Sequence, residues 1–361
     1  SIATASFRKG LIDYDRRHGW RGAEKNIAID ENYQKTFRDT KLTAGAEPTW
    51  QKAVVLKAEK QQAEIETENG ETGHIYLKDI KWAKPALKNK FTGAEPTSVA
   101  NVLKAGDVIY VEPIKDSKTK DAFALRQIPD VEGGMAVIDA HTGKVLALVG
   151  GFSFQKSQFN RATQAYRQTG SSFKPFVYLT ALEMGYSPND LILDAPFVLD
   201  QGVGLPKWKP VNYSKKFYGL MTLRQGVEQS KNLMTVRLAQ DIGMDKVAEM
   251  TKRVGINDNL PQFLSSSLGA ADARVIDMAS AYAIIVNGGK KVSPYLIERI
   301  QDRDGKTIYK EDTYDCHDCN ADKWENQTPP HKPDTREQIV DPLTAYQMTS
   351  ILEGVAVRGT G

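Results

Sequence analysis

The stretch that decides the fold is Gln168-Thr169-Gly170-Ser171-Ser172-Phe173-Lys174-Pro175-Phe176. Proline is tolerated only in the first turn of a helix, so Pro175 predicts a helix that begins at about Ser171 or Ser172. Ser171 and Lys174 are three residues apart and would share one face of that helix. A serine becomes a good nucleophile when a base takes its proton, and a lysine can be that base if burial lowers its pKa. Taken alone, however, the spacing fits a serine helix cap followed by an ordinary surface lysine more simply.

A second polar triplet favours the interpretation of Ser171 and Lys174 as a nucleophile and its base. Ser230-Lys231-Asn232 stands just ahead of an apolar segment, Leu233 to Ile242, that is predicted to be helical. A serine and an asparagine two residues apart at a helix start can both point into one cleft. The hydroxyl can shuttle a proton, and the amide can hold a substrate carbonyl or the lysine. A plain helix cap is again the alternative.

In this order the two motifs resemble those of class A penicillin-binding proteins, with Lys231 in the middle of the second motif. The resemblance covers residues from about 130 to 361 and is closest to the type 1a branch of Gram-negative bacteria. Further matching segments are Met135 to Gly151, Trp208-Lys209-Pro210-Val211-Asn212-Tyr213, Leu268-Gly269-Ala270, Ala279-Ser280-Ala281-Tyr282 and Asn287-Gly288-Gly289.

The resemblance implies an α/β (α+β) fold of the penicillin-binding transpeptidase and β-lactamase type for residues 130–361. Residues 48–129 contain five short β-prone segments separated by turns, which predicts a small all-β, OB-like domain. The type 1a branch carries such an insertion. OB folds often bind oligonucleotides or oligosaccharides, but a spacer or protein-docking module is the simpler expectation here. Residues 1–47, with a short helix from Phe7 to Tyr14, are interpreted as a linker or docking segment.

The resemblance also implies roles for individual residues in a peptidoglycan D,D-transpeptidase. Ser171 would be acylated, and Lys174 would be its base. Ser230, or its lysine partner, would pass a proton to the leaving D-alanine amine, and Asn232 would bind the peptide carbonyl. The backbone N–H of Ser171 would supply half of an oxyanion hole. The substrate-binding residues would be Ser172, Lys231, Trp208 and Tyr213.

The expected ligands are stem peptides that end in D-Ala-D-Ala, and β-lactams, which mimic that dipeptide. The resemblance implies a parent protein with a glycosyltransferase domain and an N-terminal anchor, working at the periplasmic face of the inner membrane. Partner proteins of cell-wall synthesis could dock on the OB-like domain. The third family motif, Lys-Thr-Gly, is missing, so we interpret the chain as stopping just short of it and expect it to acylate poorly by itself.

Two alternatives stay open at this point. One is a hydrolase with the same acyl-serine chemistry, either a D,D-carboxypeptidase or a β-lactamase. The other is a β-lactam sensor or scaffold without catalysis. The rate of deacylation separates the first alternative from a transpeptidase, and the absence of stem-peptide processing marks the second.

The amino-acid composition argues against several other classes of function. The 361 residues are 40% apolar and 26% charged, and the net charge of +3 comes from basic residues spread among acidic ones, so no nucleic-acid partner is expected. No run of about 18 apolar residues occurs, so no segment is expected to span a bilayer. Cys316 and Cys319 flank His317 and Asp318, but a zinc site usually needs four ligands. We therefore expect a local disulfide or idle thiols there, and neither a metal nor a cofactor.

Overall fold

The computed structural model describes residues 1–88, 91–115, 121–311, 323, 325–326, 328 and 334–361. The predicted cysteine pair, Cys316 and Cys319, lies outside these ranges. The described chain divides into two compact units, one made of 1–134 and 149–161 and the other of 135–148 and 162–361. Within the described ranges, none of the helices is both long and apolar enough to cross a membrane.

The first unit opens with a helix that is longer than predicted. Helix α1 runs over Ile2–Arg17, whereas the sequence predicted only Phe7 to Tyr14. The Ser1 hydroxyl accepts a hydrogen bond from the Thr4 amide and so caps the first turn, a signal that the sequence analysis did not use. A short strand and a short helix follow: β1 (Lys25–Asn26) and α2 (Tyr33–Asp39).

An antiparallel sheet forms the rest of this unit. Its strands stand in the order β1-β5-β2-β3-β4, and β6 pairs with β5. An isolated bridge joins His74 at β4 to Ala122 just before β6, so the sheet curls toward closure. The five strands beyond β1 are β2 (Gln51–Ala58), β3 (Gln62–Thr67), β4 (Thr72–Tyr76), β5 (Asp107–Pro113) and β6 (Phe123–Arg126). Their number agrees with the five β-prone segments predicted between residues 48 and 129.

The second unit contains only short sheets among its described residues. The matching segment Met135 to Gly151 contains two strands that pair with each other. Later strands pair as β9 with β12, β10 with β11, and β13 with β14. The strand bounds are β7 (Met135–Ile138), β8 (Val145–Val149), β9 (Arg167–Gln168), β10 (Leu191–Asp194), β11 (Gly219–Thr222), β12 (Asp272–Ala273), β13 (Arg299–Gln301) and β14 (Thr307–Lys310).

Helices make up the core of this unit. They are α3 (Lys174–Glu183), α4 (Leu223–Glu228), α5 (Asn232–Ile242), α6 (Met244–Arg253), α7 (Val275–Val286) and α8 (Pro342–Arg358). Helix α3 is central, since it packs against α4, α5, α6 and α8, and all its residues except Glu183 are buried. A helix that is buried on every side holds whatever it carries in a fixed position. The mixture of helices and sheets expected from the sequence is confirmed.

The start of α3 differs from the prediction. The α-helix begins at Lys174, and residues Gly170–Phe173 form a 3₁₀ turn before it. The reason is Pro175, which has no N–H to donate to the Ser171 carbonyl as an α-helix would require. The Lys174 amide donates to that carbonyl instead, which is the tighter bond of a 3₁₀ turn.

Candidate active site

Ser171 lies exposed in the 3₁₀ turn ahead of α3. The backbone of this turn is held from the other side by Gly269, whose carbonyl accepts from the Gly170 amide at 3.0 Å. A Cβ at Gly269 would come within 2.0 Å of the Gly170 carbonyl oxygen, so only glycine allows this approach. Among the described residues the Ser171 hydroxyl has no hydrogen-bond partner. It is therefore available to an incoming group.

Lys174 is buried directly behind this turn, with 2% of its surface exposed. Its ammonium donates to the Ser230 carbonyl at 2.7 Å, to the Ser230 hydroxyl at 3.0 Å and to Asn232 Oδ1 at 2.6 Å. All these acceptors are uncharged, and no carboxylate pairs with Lys174 among the described residues. The sequence-predicted residues Lys174, Ser230 and Asn232 are thus brought together.

Burial lowers the pKa of Lys174 from its usual 10.5 to about 8, because desolvation penalises the charged form. A lysine with this pKa is neutral in about a tenth of the molecules at pH 7. Lys174 can therefore act as a proton acceptor near neutral pH.

Ser230 has an unusual backbone conformation. Its φ of 50° lies in the left-handed region, which residues other than glycine rarely adopt. The Ser230 amide donates to the Val227 carbonyl, and the Lys231 amide donates to the Gly226 carbonyl, both at 2.9 Å. These two bonds form a Schellman motif at the end of α4, with a serine where glycine is usual. The end of α4 therefore sets the position of the Ser230 hydroxyl and carbonyl.

Asn232 is the first residue of α5 and uses both ends of its amide. Its Oδ1 accepts from Lys174, and its Nδ2 donates to the Val211 carbonyl at 2.7 Å. An amide nitrogen carries two hydrogens, so one remains for a further acceptor.

Asp194 and Asn212 support Asn232 from behind. The Asn212 Oδ1 accepts from the backbone amides of Asn232 at 2.9 Å and Leu233 at 3.3 Å, which caps α5. The Asn212 Nδ2 donates to both carboxylate oxygens of Asp194, at 2.8 and 3.0 Å, and both side chains are buried. Sequence analysis placed Asn212 in a matching segment without a role and did not consider Asp194.

The residues predicted to bind substrate lie in different surroundings. Ser172 is exposed on the same turn as Ser171, but its hydroxyl donates back to the Thr169 carbonyl at 2.6 Å. The Lys231 ammonium lies 3.3 Å from the centre of the Tyr218 ring, in cation–π contact.

Trp208 and Tyr213 lie apart from the Lys174 contacts. Trp208 packs edge-on against Phe197, with ring centres 6.2 Å apart, in an apolar cluster that includes Leu233. Tyr213 is fully exposed. Over the described ranges, no group of His, Cys, Asp or Glu side chains is arranged to hold a metal ion.

Comparison with known families identifies two matching regions. Residues 133–361 match the family described as penicillin binding protein transpeptidase domain, and residues 20–131 match the penicillin-binding protein OB-like domain. The resemblance drawn from the motifs and the predicted fold class are thereby confirmed. The division at residues 47 and 129 stays a prediction.

Individual relatives agree with these matches. Penicillin-binding protein 1A of Rickettsia bellii is 42% identical over 361 residues, which cover 99% of this chain and 44% of the relative. Penicillin-binding protein 1A of Pseudomonas aeruginosa is 34% identical and covers 100% of this chain and 47% of the relative. The crystal structure of penicillin-binding protein 1A from Haemophilus influenzae superposes with a TM-score of 0.77 at 30% identity, over 98% of this chain and 52% of that one. The chain thus spans less than half the length of these two curated relatives.

Proposed function

Because the chain belongs to the penicillin-binding protein transpeptidase family, we propose that it is the acyl-transfer part of a peptidoglycan D,D-transpeptidase, with Ser171 as nucleophile and Lys174 as base. The observation that carries this proposal is the Lys174 ammonium, which is buried among neutral acceptors next to an exposed serine turn. A buried lysine without a counter-charge is costly to a fold, and its lowered pKa suits a general base.

The first half of the proposed reaction forms an ester. Neutral Lys174 takes the proton of the Ser171 hydroxyl, whose oxygen attacks the carbonyl of the penultimate D-alanine. The resulting tetrahedral intermediate collapses with cleavage of the D-Ala-D-Ala amide bond. The leaving amine takes up a proton from Lys174, relayed by the Ser230 hydroxyl, which lies 3.0 Å from the ammonium.

The second half forms the cross-link. An amine from a neighbouring stem peptide attacks the ester and gives up a proton to Lys174, and the Ser171 oxygen leaves and takes that proton. Asn232 holds Lys174 through Oδ1, and its remaining Nδ2 hydrogen can bind the carbonyl of the stem peptide. A β-lactam would enter by the same first half and stay as a slowly released ester.

The finer parts of this proposal concern ligands and location. Ser172, Lys231, Trp208 and Tyr213 are the proposed substrate-binding residues. Stem peptides and β-lactams are the proposed ligands, and no nucleic acid is among them. The proposed location is the periplasmic face of the bacterial inner membrane. The OB-like unit is proposed to dock partner proteins of cell-wall synthesis.

Covalent labelling tests the proposal. The full-length protein that carries this sequence is incubated with a fluorescent penicillin beside Ser171→Ala and Lys174→Ala. We expect stable labelling of the wild type, and none in either variant over the same time. A folded wild type that stays unlabelled would favour the scaffold alternative, whereas rapid release of the label would favour a hydrolase.

A further inference from the structure

We propose that Glu228 and Arg358 form a positioning pair that holds Ser230 against Lys174. This inference rests on the proposed function, since it explains how the serine of that site is kept in place. It names two residues that touch neither Lys174 nor Ser171 and that the motifs do not include.

The pair joins the end of α4 to the end of α8. Glu228 is the last residue of α4, and its side chain is 7% exposed. Arg358 is the last residue of α8, and it donates to Glu228 Oε1 at 2.5 Å and to Oε2 at 3.1 Å. The Thr360 amide adds a bond to the Glu228 carbonyl at 3.2 Å. The last turn of α4 is therefore fixed to α8 through the Glu228 side chain, and to the residues just after α8 through the Glu228 backbone.

Helix α8 leaves room for this carboxylate. A Cβ at Gly354 would come within 2.1 Å of Glu228 Oε1, and a Cβ at Gly359 within 2.3 Å of the Glu228 carbonyl oxygen. Glycine in the interior of a helix is less stable than alanine at the same position. Gly354 therefore lowers the stability of α8 but leaves space for the Glu228 carboxylate.

The pair matters because Ser230 follows two residues later in a strained conformation. The Schellman motif ties Ser230 to the last turn of α4, and its left-handed φ persists only when the surroundings hold it. Ser230 supplies two of the acceptors of the Lys174 ammonium. A shift of α4 relative to α8 would thus move the proton relay away from the base, without a change in any residue that touches substrate.

The test separates positioning from stability. In the full-length protein, the rate constant of acylation by a chromogenic β-lactam and the dissociation constant of the prior noncovalent complex are measured for Gly354→Ala and Glu228→Gln. Glu183→Gln is the matched control, since Glu183, the last residue of α3, forms a similar pair with Arg253, the last residue of α6. We expect the acylation rate constant to fall about ten- to hundredfold in Gly354→Ala, because small misplacements of reacting groups have effects of this size. The dissociation constant, the thermal midpoint and the control should change little.

Gly354→Ala is the sharper variant, because alanine should stabilise an isolated helix α8 and yet lower activity. An unchanged acylation rate constant in both Gly354→Ala and Glu228→Gln, while the wild type acylates, would overturn the inference and leave the proposed function standing. A crystal structure of Gly354→Ala tests the same point without catalysis. We expect the distance from Ser230 Oγ to Lys174 Nζ, 3.0 Å here, to exceed hydrogen-bond length. An unaltered distance would contradict the inference even in an inactive protein.

Discussion

Two of the buried charged residues, one in each unit, differ in the charge of their hydrogen-bond partners. Asp15 in α1 accepts from Arg21 at 2.7 Å, from Gln127 at 2.7 Å and from the Asp130 amide at 3.0 Å, so its carboxylate has an opposite charge beside it. In the part of the chain that the structure describes, Lys174 has neutral acceptors only. A paired buried charge serves the fold, whereas an unpaired one with a lowered pKa is available for proton transfer. The contrast separates a structural ion pair from a candidate base without reference to any motif.

The largest expected effect on acylation is that of Lys174→Met, and it tests this contrast. Methionine keeps the length of the side chain but removes the proton acceptor, so the rate of β-lactam acylation should fall about 10³-fold. The free energy of unfolding should change little, since a desolvated ammonium is lost together with its hydrogen bonds. Stopped-flow labelling and thermal unfolding measure the two quantities, with Lys246→Met on the exposed side of α6 as control. Acylation at the rate of the wild type would show that Lys174 is not the base.

The reverse pattern is expected for Asp15→Ala. Arg21 would keep Asp130 as an acidic partner, but the Gln127 side chain and the Asp130 amide would lose the buried carboxylate that accepts from them, so the first unit should lose about 2 kcal/mol of unfolding free energy. Acylation of the second unit should stay as it is. Asp13→Ala is the control, because Asp13 forms an exposed pair with Lys9 on the same helix. If Asp15→Ala slowed acylation without loss of stability, Asp15 would have a functional role and the contrast would fail.

A comparable effect on stability is expected from Asn212→Ala, which sharpens the comparison within the second unit. Loss of the α5 cap and of the donor to Asp194 should cost about 2 kcal/mol of unfolding free energy. Acylation should also slow, since Asn232 loses the support of its backbone. Asn257→Ala is the control, at a partly exposed asparagine that donates to the Asp272 carbonyl at 3.2 Å and accepts from the Asn259 amide at 2.9 Å, away from the site. Equal effects of the two substitutions would deny Asn212 its part in the site.

Sequence reasoning reached the helices and strands where local patterns are strong. Helix α5 begins and ends within a residue of the predicted segment Leu233 to Ile242, because apolar periodicity marks it, and five strands lie where five β-prone segments were predicted. The start of α3 was missed by a few residues, since the effect of Pro175 on the preceding turn depends on one particular hydrogen bond. The short predicted helix at the N-terminus extends over Ile2–Arg17.

Only part of the candidate site could be predicted from the sequence. The motifs named Lys174, Ser230 and Asn232, and the structure brings them into contact. Asp194 carries no local signal, because its importance arises only when the chain returns to place Asn212 beside it. The left-handed conformation of Ser230 was equally hidden, since sequence patterns assign that conformation to glycine.

We infer that Lys174 acts as the base because burial holds its pKa at about 8. The most direct test is the pH dependence of the second-order rate of acylation by a β-lactam whose own ionisation lies outside the measured range. In the proposed mechanism only neutral Lys174 accepts the Ser171 proton, so the rate should rise about tenfold per pH unit below pH 8 and level off above it. A rate that is flat or falls between about pH 6 and about pH 9 would contradict the account.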